Sequence, residues 1–452
     1  MAGSGNVKVG QVFVAGGLPT LTYISREEYR LEQKIQDYLD ERHRILSISG
    51  PTKTGKTVLV KSVLAREDAI WLSGGTISSL DELWSLIADY LGLITQVETT
   101  QTSSETDSRT TKGELGVGVL KGAKEGQSAT SYTTSDRTAR SRSISSVARD
   151  ALRSGLHSLV IDDFHYIEPD VQLQIVRGLK DLVFDGLPVI VIAVPHRAYD
   201  VVRVEKEMTG RVEQLEVGFW SKNELLAIAH KGFEALNVQD PNGEVAERLA
   251  GESFSSPHLM QTFCLHVCKE NGVRERSQEG AIITAPIWDD FFAARASNTS
   301  RTAFDMLVQG PRQRTDRKVR TLKSGTATDI YGVVLAGIAH TGPLTSVTYE
   351  ALRASLREIL SSEVPQRQEI TRVLEEMSKI ARVHIEGEPV VDYDESLSRL
   401  YISDPFFAFF LRWRVDADVD PKSEEVKAII AGQANNSAVG QRVLYWRTHG
   451  MN

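Results

Sequence analysis

Gly50-Pro51-Thr52-Lys53-Thr54-Gly55-Lys56-Thr57 fills every fixed position of the spacing G-x-x-x-x-G-K-T. A loop with this spacing turns successive main-chain N–H groups toward a chain of phosphates. Gly50 and Gly55 permit the tight turn and a close approach of backbone. Lys56 brings a compact positive charge to the outer phosphates, and Thr57 offers a hydroxyl to a magnesium ion. A second chemical feature closes the apolar run Leu159-Val160-Ile161 with the acids Asp162 and Asp163. Carboxylates at the C-terminal end of a buried strand stand where open parallel sheets bind ligands. Asp162 is placed to hold magnesium opposite Thr57, and Asp163 to orient or deprotonate an attacking water. An acid pair in a surface turn is the plain alternative, and the upstream phosphate loop weighs against it.

The elements needed to position these residues are legible around them. Arg44-Ile45-Leu46-Ser47-Ile48-Ser49 reads as a short strand entering the loop. Val58 continues the helix that begins at the loop's end, so the positive end of its dipole faces the phosphates. Residues 69–73, 156–161 and 188–194 read as three further strands, the last apolar throughout, as expected for burial on both faces. Ser79-Leu80-Asp81-Glu82 is a capping box for a helix ending near Leu91, and 171–183 is helical. Strands alternating with helices predict a parallel sheet covered on both sides.

Between 95 and 146 the chain is dominated by Ser, Thr and Gly, a composition that cannot bury a core. It admits two readings: a projecting glycine-rich β-hairpin, from the alternation in Glu114-Leu115-Gly116-Val117-Gly118-Val119, or an unstructured insertion. From Ser221 the chain turns helical. Ser221-Lys222-Asn223-Glu224 is another capping box, and helices follow near 245–250, 257–268 and 288–296. A basic connector then carries Arg312, Arg314, Arg317, Lys318, Arg320 and Lys323. Beyond it, helices at 329–339, 349–360 and 366–380 precede strands at 383–386, 389–392 and 399–402, with Gly387-Glu388 turning the first pair. Three helices and a β-ribbon suggest a winged helix. The apolar run Phe406-Phe407-Ala408-Phe409-Phe410-Leu411 opens a closing helix that packs on that module.

Bulk properties narrow the class. A chain of 452 residues has room for about three domains. The boundaries read as a nucleotide-binding α/β domain over 1–220, a helical lid over 221–302, a winged-helix domain over 303–415 and a tail over 416–452. A net charge of −8 argues against a nucleic-acid coat, though not against a local basic face. The two cysteines, Cys264 and Cys268, exclude a disulfide framework. They flank His266 in an apolar helix where core packing outweighs a metal site. The start has no charged region followed by an apolar one, and no apolar run reaches the ~20 residues of a membrane span, so a cytoplasmic location is expected.

At Val160-Ile161-Asp162-Asp163-Phe164-His165-Tyr166-Ile167 the chain resembles the STAND-type signalling ATPases and their origin-recognition-like AAA+ cousins. Tyr23-Ile24-Ser25-Arg26-Glu27-Glu28 is similar to the STAND entry motif, with Ser25 in place of its glycine. Ser256-Pro257-His258-Leu259 resembles the Gly-x-Pro motif of the lid, again without the glycine, and His258 falls where AAA+ relatives place a lid arginine. The likeness covers about residues 10–300. It implies that Tyr23, Ile24 and Arg26 lie against adenine, and that Pro257 and His258 sense ATP or ADP. It also implies magnesium-dependent hydrolysis, slow because Asp163 stands where many hydrolases use Glu, and self-assembly in the ATP state, with signalling to a separate effector protein. His196, just past the fourth strand, is the candidate reader of the γ-phosphate, or else a capping histidine. Arg203 and Arg211 are candidate arginine fingers for the same or a neighbouring subunit. The alternative function is a DNA-binding loader that uses the winged helix and the basic connector.

Overall fold

The computed structural model describes residues 6–93, 143–155, 157–194, 211–296, 298–311, 317–343, 345–385 and 389–414. Five strands form its central sheet: β1 (Ile45–Ser49), β2 (Ala69–Ser73), β3 (Ser158–Asp162), β4 (Val189–Ala193) and β5 (Val212–Glu216). They are parallel throughout, in the order β2-β3-β4-β1-β5. Alternate residues supply two separate cores, as the two-residue period of a strand demands. Ile45, Ile70, Leu159, Ile161 and Val189 face one side and Leu46, Ile48, Val160, Ile190 and Ile192 the other.

A one-turn helix α1 (Val9–Val12) precedes the sheet, followed by α2 (Leu31–Glu41) and, after β1, α3 (Lys56–Val63). The last two cover one face through Leu31, Ile35, Tyr38, Leu59 and Val60. The other face is covered by α4 (Leu80–Tyr90), α5 (Ile144–Arg153) and α6 (Pro169–Phe184). Ser143 caps α5 by accepting from the Ser146 amide, so the expected insertion ends before residue 146. The rest of it lies outside the described residues, as do the tail beyond 414 and the Gly387-Glu388 turn.

β5 was not expected from sequence. It sits at the sheet edge with one face to solvent, so Val212-Glu213-Gln214-Leu215-Glu216 carries charge where buried strands carry none.

The segment expected to form the lid holds α7 (Lys222–Leu236), β6 (Val238–Gln239), α8 (Glu244–Gly251), α9 (Pro257–Glu270), β7 (Ala281–Ile282) and α10 (Trp288–Arg295), and α11 (Asn298–Gln309) runs past its expected end at 302. The capping box at Ser221 and Glu224 forms as expected. After the short hairpin β8 (Arg320–Thr321) and β9 (Ala327–Thr328) comes a unit in the order α12 (Ile330–His340), β10 (Ser346–Thr348), α13 (Tyr349–Ile359), α14 (Arg367–Val383), β11 (Val391–Asp394) and β12 (Arg399–Ile402). Its antiparallel strands run β10-β12-β11.

Two expectations are corrected here. Of the strand expected at 383–386, the described residues 383–385 are not extended, because α14 runs on to Val383 and buries Met377, Ile380 and Ala381 along its apolar face. The ribbon is instead the pair β11 and β12, joined across residues 395–398, with the unforeseen β10 at its other edge.

The closing helix α15 (Pro405–Arg414) does more than pack on this unit. Phe409 meets Phe254, Phe263 and Phe292 of the lid, and Phe410 meets Phe304. Lid and C-terminal unit therefore share one continuous apolar core. Arg412 and Trp413 both donate to the buried Glu252 at 3.1 Å, closing the seam with charge-assisted bonds. Among the described residues no helix is long and apolar enough to cross a membrane.

Candidate nucleotide-binding site

The loop from β1 to α3 has the backbone its two glycines allow. Gly55 sits at φ +91°, a left-handed conformation that disfavours other residues. Gly50 answers a different demand: a Cβ there would lie 2.2 Å from the carbonyl oxygen of Val217. The close approach at Gly50 is thus to the chain leaving β5. The Val217 amide locks that chain to Ser49 O at 2.7 Å. Lys56 Nζ donates to the carbonyls of Gly50 (2.8 Å) and Pro51 (3.0 Å), which hold the ammonium across the loop.

Thr57 Oγ1 donates to Asp162 Oδ2 at 2.9 Å, although 105 residues separate them. The carboxylate's other oxygen accepts the Asp163 amide at 3.0 Å. Asp163 is left-handed, φ 56°, and its carbonyl lies where a Cβ on Gly74 would stand. A hydroxyl and a carboxylate converging beside a phosphate-type loop are the hard oxygen donors that suit magnesium. Among the described residues no cluster of three or more His, Cys, Asp or Glu offers another metal site. Cys264 and Cys268 are buried in the lid core, where burial raises both thiols, Cys268 to about 12.

A cavity of about 450 Å³ opens over the loop, within the range of small-molecule sites. Residues 52–58, Asp162 and Asp163 line one wall. Tyr23, Ile24, Pro257 and His258 line it from the entry segment and the start of α9, so the structure brings these expected residues together. Gly50 and Pro51, at the start of the loop, are not among the lining residues. Tyr23 donates its hydroxyl to Glu32 (2.6 Å), and burial followed by that bond pushes the phenol well above its ordinary range. Arg26 reaches the cavity but is engaged elsewhere. It pairs with Glu224 at 2.6 Å and donates to the carbonyls of Gly218 and Phe219, both at 2.9 Å. Burial opposes the charge on Glu224, but its bonds to Ser221 and Arg26 outweigh that and hold the carboxyl below its ordinary range. Arg26 thereby ties the entry segment to the start of the lid.

His196 and Arg203 lie outside the described residues. Arg211 is placed away from the candidate site of its own chain. Its carbonyl accepts the Ile45 amide at the N-terminal edge of the sheet, and its guanidinium lies over the Phe184 ring. The cavity is at the opposite edge, a five-residue strand or about 16 Å away. In the basic connector, Arg312 and Arg314 are outside the described residues. Arg317 is paired with Asp329 (2.6 Å) and Arg320 with Glu369 (3.0 Å), so both charges are partnered within the chain.

Three site residues were missed by sequence reasoning. Gln261, on α9, accepts from the Val14 amide (3.1 Å) and donates to Thr22 (2.8 Å), pinning the entry segment to the lid. Trp220 Nε1 donates to Thr54 O in the phosphate loop (2.9 Å). Asp404, just before α15, is half-buried, and the positive charge of Lys53 acts on it. Burial dominates and raises its carboxyl above the ordinary range. His258 is lowered by burial and then by Lys53, and its ring stands edge-on to Phe406 at 5.0 Å. No local spacing marks these three, because each partner is distant in sequence.

A phosphate loop joined to a five-stranded parallel sheet, with its threonine bonded to a strand-end acid, defines the P-loop NTPase fold. No protein-family profile matches the chain, and no curated protein does. Among solved structures, the Aeropyrum pernix ORC2 protein, in ADPNP–ADP complexes, is similar at 15% identity over 95% of this chain and 100% of that one, with a TM-score of 0.49. The Walker-type ATPase of Pyrococcus abyssi is similar at 15% identity over 87% and 100%, also with a TM-score of 0.49. Cdc6p from Pyrobaculum aerophilum follows at 11% identity over 90% and 98%, with a TM-score of 0.39. At these values the likenesses transfer no function, and the fold assignment stands on the sheet and the loop.

Proposed function

We propose that this chain is an ATP-binding and ATP-hydrolysing switch of AAA+ or STAND type. The observation that carries it is the 2.9 Å bond between Thr57 and Asp162 beside the loop of residues 50–57. In this reading the amides of the loop bind the β- and γ-phosphates, and Lys56 leaves its carbonyls to neutralise their charge. Thr57 and Asp162 would hold magnesium, which when bound offsets the negative charge of the phosphates. Asp163 orients the attacking water. The test is calorimetry of the native chain with ADP, with and without magnesium, alongside ATP turnover and mass in solution. One ADP per chain and a larger assembly with a non-hydrolysable ATP analogue are expected. An absence of binding at about 1 mM ADP, the weak end of ordinary enzyme affinities, overturns the proposal.

Coupling to the C-terminal unit is supported by the edge-on contact of His258 with Phe406 and by the charge of Lys53, which acts on both His258 and Asp404. We read that unit as a winged helix serving as a packing module, moved when phosphates draw the loop and lid together. The charge on Asp404 carries a cost that grows with pH: a carboxyl raised in the folded chain stabilises below its unfolded pKa and loses that contribution as pH rises through the folded value. Asp404→Asn keeps the oxygen that accepts the Phe406 amide (2.8 Å) and removes the charge. Its thermal midpoint at pH 7 is expected to rise by about 2 °C or more, with the gain vanishing below the ordinary carboxyl range. A midpoint lowered equally at both pH values contradicts this.

A further inference from the structure

Trp220 touches both walls of the cavity. Its indole donates to Thr54 O in the phosphate loop at 2.9 Å, and its own amide donates to Ser255 O of the lid at 3.3 Å. Thr54 is itself buried, with its hydroxyl donating to Pro51 O at 2.8 Å. The peptide joining Thr54 to Gly55 is planar and trans, so its carbonyl and its N–H point in opposite directions. A carbonyl held by the indole therefore turns the Gly55 N–H away from Trp220. On the lid side, Phe254 (φ 46°) and Ser255 (φ 55°) are two successive left-handed residues without glycine. Such a turn persists where surrounding contacts impose it. It leads directly into Ser256, the cap of α9, and so into Pro257 and His258. The ring is fixed from behind by the Arg26 guanidinium, 5.3 Å from its centroid.

From this we infer that Trp220 is a positioning residue for nucleotide binding: its side chain aims the Gly55 amide at the phosphates while its backbone holds the lid turn against the loop. The inference rests on the proposed nucleotide site and extends it to a residue four positions beyond β5. Trp220→Phe keeps an aromatic ring under Arg26 and removes the donor. One lost bond that leaves a buried carbonyl unsatisfied predicts an ADP dissociation constant raised about tenfold. The second measurement uses the native chain labelled with ¹⁵N. Its Trp220 indole resonance, identified by its absence in the variant, is expected to shift on ADP titration with the midpoint of binding.

A purely structural role would lower the stability of the nucleotide-free protein and leave the dissociation constant unmoved. A dissociation constant within about twofold of native in the folded variant overturns the inference. So does an indole resonance unmoved at saturating ADP, a result that stands even if Trp220→Phe fails to fold. Failure of the native chain to bind ADP is a separate result, seen before any variant is made, and brings down the site and this inference together.

Discussion

Lys56→Ala is expected to weaken ADP and ATP binding by at least about a hundredfold, measured by calorimetry. Removing one partner of a desolvated charge pair costs about 2–5 kcal/mol, and a hundredfold corresponds to about 2.7 kcal/mol. The nucleotide-free fold should survive the change. The ammonium of Lys56 meets two main-chain carbonyls of the loop. Loop geometry also remains supported from outside, by Trp220 on Thr54 and by Val217 against Gly50. Affinity equal to the native chain's would show that the loop does not hold phosphates.

Asp162→Ala separates binding from metal use. The acid contacts Thr57 and the Asp163 amide, and it stands at the end of β3 across from the loop. Magnesium-free ADP affinity is expected to stay within a few-fold of native, while the gain on adding magnesium disappears. ATP turnover is expected to fall by about a hundredfold or more, the usual loss when one preorganised electrostatic contact is removed. The Asp163 amide also loses its acceptor, so Asp163 no longer stands where it could orient water. A variant that keeps full magnesium stimulation would place the metal elsewhere.

Much of the site was readable from local spacing. The phosphate loop is eight consecutive residues, and the backbone they build is set by Gly55 and by the helix that follows. The strand ending in Asp162 was visible because an apolar run met two acids. β2, the lid helix α7 and its capping box were marked by periodicity and caps. β5 was hidden by its charged, one-sided pattern, and with it the true place of Arg211. The ribbon was assigned one strand too early because 383–386 looks β-branched and apolar enough to extend, whereas the amphipathic face of α14 won.

What the sequence determined by itself was the chemistry: which residues could grip phosphates and a hard cation, and on which ends of which strands they stand. Those are short-range matters, decided by backbone freedom, helix capping and the alternation of a strand. Tertiary structure alone decided how the site is braced and what it touches. Trp220 on Thr54, Gln261 on Thr22 and Arg26 on Glu224 join residues from 166 to 239 positions apart. Contacts of that span follow from how the sheet, lid and C-terminal cores close on one another.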